Sequence, residues 1–390
     1  MKDNSLKKLE ILNELEYYQE QDYTYNSGRI LGSMCTEPHP FAKEIFIKFL
    51  NSNLGDPGLF PGTKKLEDKS INMLGNLLGG ENVVGNIVTG GTEANLMAMR
   101  GARNIARSNG IVDGEIIVPK SAHFSFKKVE DILGVKLIEA PLDENYKIST
   151  DFVQDNINKN TVAIVGVAGS TELGKVDPIP VLSDIAVDKD VHLHVDAAFG
   201  GFVIPFLKGN GYDLVDFDFS LEGVDSITID PHKMGLAPIP SGGILFRNND
   251  LLNEMKVDTP YLTYKTQSTI VGTRLGASAA SVYGLFKYLG FEGYSDIVLK
   301  CMDNTIFLKN ELIKLGYVVV SEPELNIIAF NYPGVPTDVL ASLIRDCGWL
   351  VSESSNPKAI RIIMMRHIKR ENILDLLNDL KNIKKSFNNI

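Results

Sequence analysis

The chain has 390 residues, 44% of them hydrophobic and 23% charged, which is enough apolar material for a large core and a second, smaller domain. Its 39 basic and 49 acidic residues give a formal charge of −10, which argues against nucleic acid or an anionic membrane as partner. No apolar run reaches membrane-spanning length, and the three cysteines, Cys35, Cys301 and Cys347, are too widely spaced for a metal-type pair.

The N-terminal "MKDNSLKKLEILNELEYY" reads as an amphipathic helix and lacks the apolar stretch of a signal peptide. A cytoplasmic protein with free thiols is expected. Gly/Pro-rich loops such as "NLGDPGLFPGT" follow, so residues 1–60 are expected to form an arm without its own core. Residues 61–288 are expected to form the large domain. There "NVVGNIVTGG" leads into the helical spacing of "TEANLMAMRGARNIA", and "EIIVP" into "FKKVEDILG". "VKLIEAPL" precedes "DFVQDNI", "TVAIVGVAG" precedes "IPVLSDIAVDKD", and "HLHVDAAFGG", "SITIDPHK" and "GGILFR" follow. Repeated βα units predict a mostly parallel sheet covered on both faces, with ligands at the carboxyl ends of its strands. Residues 289–390, with "NIIAFNY", "AIRIIMM" and the closing helix "ENILDLLNDLKNI", are expected to form a small α+β domain.

Four strand ends carry complementary chemistry. "VTGGTEAN" offers a glycine turn and a helix N-terminus suited to a phosphate; a plain turn with Thr92 as N-cap fits it equally. "VPKSAHFS" supplies His123, and "HLHVDAAFGG" supplies Asp196 followed by small residues that leave room for something flat. Asp196 also reads as a turn cap. "SITIDPHKMG" delivers Lys233, where shielding from water is expected to lower the lysine's pKa and make it a nucleophile. An aldehyde-reactive lysine, an acid, a phosphate turn and a flat slot are together what pyridoxal 5′-phosphate needs. At about 4 Å and an effective dielectric near 20, opposite charges attract by roughly 4 kcal/mol, enough to keep a pyridine nitrogen protonated beside Asp196.

The ordered set "GGTEAN", "SAHFS", "GSTELGKVDPI", "HVDAAFGG", "DPHKMG" and "GTRLGAS" resembles the group II pyridoxal-phosphate amino acid decarboxylases over nearly the whole chain. "SGRILGSMCTEPHP" and "DPGLFPGTKKLE" are similar to the archaeal tyrosine/aspartate subgroup. The resemblance implies the aminotransferase-like fold (fold type I). It implies Lys233 as the residue bonded to the cofactor aldehyde, Asp196 at the ring nitrogen and His123 stacked on the ring. Gly91 and Thr92 would hold the phosphate, Thr171 would lie near the ring, and His232 would sit beside the lysine.

Thr273 would reach a partner subunit's phosphate, so a homodimer with shared sites is implied. Tyr261 or Tyr264 would return a proton to the substrate carbon, and Arg361 would meet a substrate carboxylate; packing tyrosines and a surface ion pair are the plainer readings of these three. No metal is implied. The implied reaction takes L-tyrosine to tyramine or L-aspartate to β-alanine, feeding methanofuran or coenzyme A synthesis. L-Glutamate decarboxylation and a carbon–carbon lyase resembling sphingosine-phosphate lyase are the alternatives. A cysteine desulfurase needs a thiol at the rim, and Cys35 is assigned to the arm, away from it.

Overall fold

The computed structural model describes residues 4–387. The strands of the main sheet are β1 (Val84–Val88), β2 (Glu115–Pro119), β3 (Lys136–Ala140), β4 (Thr161–Val167), β5 (His192–Asp196), β6 (Val224–Ile229) and β7 (Gly242–Phe246). They lie in the order β1-β7-β6-β5-β4-β2-β3. Strands β3, β2, β4, β5 and β6 pair in parallel, as the alternating pattern predicts. β7 runs antiparallel to both of its neighbours, β6 and β1. The reversal follows from the link 230–241, which holds no crossover helix and so returns the chain antiparallel.

The sheet is covered on both faces. All seven residues of β4 are buried, as expected of a central parallel strand. Its side chains alternate between two cores: Ile164 packs with Leu193 and Ile227, whereas Ala163 and Val165 pack with Ile116 and Ile244. Helix Gly91–Ser108 covers the second of these faces, with Met97, Ala98 and Ala102 in its core.

Past the sheet, a short hairpin pairs β8 (Val257–Asp258) with β9 (Thr266–Gln267). A helix over Gly276–Lys314, interrupted at non-helical Gly290, then leads to a four-stranded antiparallel sheet. Its strands are β10 (Val318–Val319), β11 (Ile327–Asn331), β12 (Ser352–Ser355) and β13 (Lys358–Ile363), in the order β10-β11-β13-β12. Trp349, Phe330, Ile362 and Leu380 belong to a separate core here.

The N-terminal segment departs from expectation in two ways. Helix Asn4–Gln19 is present, but every side chain from Leu6 to its end is exposed, so no apolar face is buried against this protomer. Beyond it, the chain folds onto the small sheet. Ile30 bridges Leu350 in parallel, the N–H groups of Leu31 and Gly32 donate to Leu350 O at 2.9 Å, and Ile363 N–H donates to Leu31 O at 2.8 Å. This carries Met34 to the rim of the main sheet, where it lines a cavity.

Candidate active site

The cavity lies at the carboxyl ends of the main-sheet strands and has a volume of about 380 Å³. It brings together Gly91, Thr92, His123, Thr171, Asp196, His232 and Lys233 from five separate stretches of sequence. Lys233 and Asp196 therefore share one enclosure.

Lys233 is delivered by a tight turn after β6. Its N–H donates to Asp230 O at 3.0 Å, and Ala237 N–H donates to Pro231 O at 2.9 Å. Gly235 is required here, because a Cβ on it would come within 2.7 Å of the Pro231 Cα and carbonyl oxygen. The lysine ammonium pairs with Asp230 Oδ2 at 3.0 Å. Burial is the largest single influence and pulls its pKa down, but Asp230 and Asp196 together outweigh it and the net shift is upward. This corrects the expectation of a depressed lysine pKa: the nearby carboxylates reverse the sign, and the first of them, Asp230, lies within the same "DPHK" stretch. The other oxygen of Asp230 is buried and has no hydrogen-bond partner. His232 presents Nε2 at 3.7 Å from Asp230 Oδ2 and accepts Ser241 N–H at Nδ1; burial lowers its pKa.

Asp196 ends β5 and is buried. Its Oδ1 accepts Ala198 N–H at 3.1 Å and its Oδ2 accepts Asn95 Nδ2 at 2.9 Å. The turn-cap reading holds for Oδ1, and Asp196 also lines the cavity. His123 accepts Ser125 N–H at Nδ1, which places the proton of the neutral ring on Nε2. Burial pulls its pKa down against the nearby Asp196 charge, leaving a flat neutral imidazole.

Gly91 and Thr92 open helix Gly91–Ser108, whose first-turn N–H groups have no intrahelical acceptor. Glu93 also lies there, but its oxygens are committed: Oε2 accepts from Thr89 N and Oγ1 at 2.9 and 2.8 Å, and Oε1 from Val271 N at 3.2 Å. The turn therefore remains a phosphate-type cradle. A Cβ on Gly91 would sit 3.0 Å from Asp230 Oδ2, so the cradle is open only because that residue is glycine. With an amine, an acid, a flat neutral ring, a helix N-terminus and an unpartnered carboxylate oxygen on one cavity, the residues present fit pyridoxal 5′-phosphate.

Four of the named residues do not line this cavity. Thr273, Tyr261 and Tyr264 are exposed; Tyr264 borders a separate small cavity with Arg274 and Asn86. Arg361 donates Nε to Ser352 Oγ at 3.0 Å and its terminal nitrogens to Thr171 O at 2.7 Å and Gly32 O at 3.0 Å. It clamps the small sheet, the arm and the loop bearing Thr171. Cys35, assigned to the arm and away from the rim, feels the Lys233 and Asp230 charges because the arm folds over the site; burial raises its pKa and keeps it a thiol. The sequence reading missed Asp230, Asn95 and Met34, all of which line the cavity. All three stand inside quoted motifs, but Met34 reaches the cavity through a fold-back that no local pattern reveals.

Residues 36–333 match the family described as "Pyridoxal-dependent decarboxylase conserved domain". A probable L-tyrosine/L-aspartate decarboxylase of Methanothermobacter thermautotrophicus is 58% identical over 361 residues, covering 93% of this chain and 99% of the relative. The L-aspartate decarboxylase of Thermococcus kodakarensis is 49% identical, covering 96% of this chain and 97% of the relative. Among solved structures, the sphingosine-1-phosphate lyase of Burkholderia pseudomallei aligns with a TM-score of 0.90 at 27% identity, over 99% of this chain and 91% of that one. The glutamate decarboxylase of Lactobacillus brevis aligns at 0.86 and 24% identity, over 95% and 91%, and bears on the fold alone. The chain has the aminotransferase-like fold and belongs to the pyridoxal-phosphate-dependent amino acid decarboxylase family.

Proposed function

We propose that the substrates are L-tyrosine, released as tyramine, and L-aspartate, released as β-alanine, with tyrosine favoured. The observation that carries this order is the cavity lining. Met34, Val167 and Phe199 supply apolar surface for a phenyl side chain, and Lys233 is the single lysine or arginine lining the cavity among the described residues. An aspartate side chain needs a cation brought by another subunit. The names printed for the relatives include both substrates. Tyramine would serve methanofuran synthesis and β-alanine coenzyme A synthesis, in the cytoplasm.

When bound, pyridoxal phosphate supplies an electron sink for the pair left on Cα as carbon dioxide departs. This chain's residues supply the rest. Lys233 would be the amine that holds the cofactor through its aldehyde. Asp196 holds a proton on the ring nitrogen, and His123 covers one ring face and excludes water from it. The first turn of helix Gly91–Ser108 holds the phosphate through Gly91 and Thr92. Thr171 and His232 border the ring and the lysine.

In this reading the protein works as a homodimer. Thr273 reaches the partner's phosphate, Tyr261 and Tyr264 act on the substrate side of the assembled site, and Arg361 serves it by holding the loop that bears Thr171. The exposure of Tyr261, at 86%, and of half of Tyr264 supports this, since it leaves both rings open to a partner. Incubation with carboxyl-labelled L-tyrosine, L-aspartate and L-glutamate, trapping released carbon dioxide and identifying the amine, tests the proposal. Tyramine and β-alanine are expected. Release from glutamate alone would overturn the substrate assignment. The high structural similarity to a lyase motivates a second arm with a phosphorylated long-chain amino alcohol; aldehyde release there, without carbon dioxide from any amino acid, would favour carbon–carbon cleavage.

A further inference from the structure

Asp196 rests on a buried polar cluster that the reaction does not use directly. Asn95 Nδ2 donates to Asp196 Oδ2 at 2.9 Å and to Ser125 Oγ at 3.0 Å. Asn95 Oδ1 accepts from Thr228 Oγ1 at 2.7 Å and lies 3.0 Å from His194 Nε2. Asn95, Ser125, His194 and Thr228 are all at most 1% exposed. These four contacts use the full hydrogen-bonding capacity of the amide.

The chemistry fixes which way the amide points. A carboxylate only accepts, so the nitrogen of Asn95 must face Asp196 and its oxygen must face His194 and Thr228. His194 must then donate from Nε2. Its Nδ1, 2.8 Å from Ser226 Oγ, is left as an acceptor, so Ser226 gives its one hydroxyl hydrogen to His194 and accepts from His192 Nε2, also 2.8 Å away. Burial pushes the His194 pKa down to about 3, so the ring stays neutral at working pH. A neutral ring with its single proton on Nε2 is the state this cluster accommodates.

We propose that Asn95 is a positioning residue for Asp196, and that His194, as the neutral Nε2–H tautomer, holds the Asn95 amide in the orientation that serves it. The inference rests on the reading that Asp196 meets the ring nitrogen. The residues come from adjoining elements. Asn95 stands one turn into the helix that bears the phosphate cradle, and His194 and Thr228 lie on β5 and β6. One amide thus ties the phosphate end of the site to the nitrogen end.

The histidine allows a test by amide replacement. In His194→Gln the side-chain nitrogen stands near the position of Nε2 and still donates to Asn95. In His194→Asn it stands near Nδ1, and Asn95 Oδ1 loses that donor. The readouts are the pyridoxal phosphate dissociation constant, the pH dependence of the bound cofactor's absorption, and thermal unfolding without cofactor. Asn95→Ala is expected to weaken cofactor binding about tenfold or more, the consequence of losing a hydrogen bond to a charged group. His194→Asn is expected to move binding and pH profile the same way, with His194→Gln restoring most of the effect. Nitrogen-15 spectra of histidine-labelled native protein are expected to show His194 as the Nε2–H tautomer throughout pH 5.5 to 8.5.

A His194 proton on Nδ1 would overturn the proposal whether or not the variants fold. So would native affinity and pH profile in a folded Asn95→Ala, or equal behaviour of the Gln and Asn replacements. Asp196→Asn separates this from the underlying reading. If that variant binds and absorbs as native, the ring-nitrogen role of Asp196 is what fails, and the positioning role falls with it. If it is impaired while Asn95→Ala is native, only the positioning role fails.

Discussion

The Lys233 ammonium lies 3.0 Å from Asp230 Oδ2, three residues earlier in the same turn. The lysine is thereby held charged despite its burial, with Asp230 as the larger of the carboxylate influences and Asp196 adding to it. Asp230→Asn removes the largest opposing charge and leaves Asp196 to work against burial, so the lysine's pKa should fall. The rate at which the cofactor-free protein bonds pyridoxal phosphate, followed by visible absorbance, should then reach its plateau at lower pH than in the native protein. An unchanged profile would show that Asp230 does not set the charge of Lys233.

Glu67 and Arg274 form a buried ion pair behind the site. Glu67 is fully buried, also accepts from Lys64 and from Ile87 N–H, and Arg274 also donates to Ile87 O. Arg274→Met leaves the buried carboxylate with Lys64 and Ile87 N–H only and should cost up to about 3 kcal/mol by chemical denaturation. Glu67→Gln combined with Arg274→Met should recover part of that loss, since the second change removes that buried charge. Additive losses in the double variant would contradict the pairing.

All six histidines have pKa values below 6.5, in each case with burial as the largest cause. The unfolded chain therefore binds protons at histidine more readily than the folded one. Their contribution to stability is complete above pH 6.5 and is lost as pH falls toward the folded values. Asp177 works the other way: burial raises it from 3.8 to about 7, so its contribution is complete below about pH 3.8 and is lost as pH rises toward 7. With six groups against one, the Tm of the cofactor-free protein should fall between pH 7.5 and pH 5.5. A flat or rising Tm across that interval would contradict the burial of the histidines.

Much of this was legible before the fold was seen. Strand "EIIVP" is β2 residue for residue, and the four strand ends picked out by chemistry do converge on one cavity. That follows from the parallel sheet, which sends the ends of consecutive strands to one rim. The rest was hidden for physical reasons. The pairing of Ile30 with Leu350 joins segments 320 residues apart and leaves no periodic trace, so Met34 and Cys35 looked remote. The sign of the lysine shift depended on how close Asp230 and Asp196 come to the ammonium, which the sequence does not encode. Asn95 reads as one more polar residue on an amphipathic helix until His194 is placed beside it.

Sedimentation should show a homodimer, and dilution to monomer should abolish amine release. The largely exposed segment from Tyr261 to Thr273, together with the first helix, exposed from Leu6 onward, is the surface expected to be protected from hydrogen exchange in the dimer. A fully active monomer would contradict the shared site.

The account rests on Lys233 as the amine that bonds the cofactor aldehyde. Borohydride reduction of the cofactor-loaded protein, followed by peptide mapping, tests this directly. The reduced pyridoxyl group should be found on the peptide containing "DPHKMG", at Lys233, and a Lys233→Ala protein should carry none. Stoichiometric label on any other lysine would contradict it.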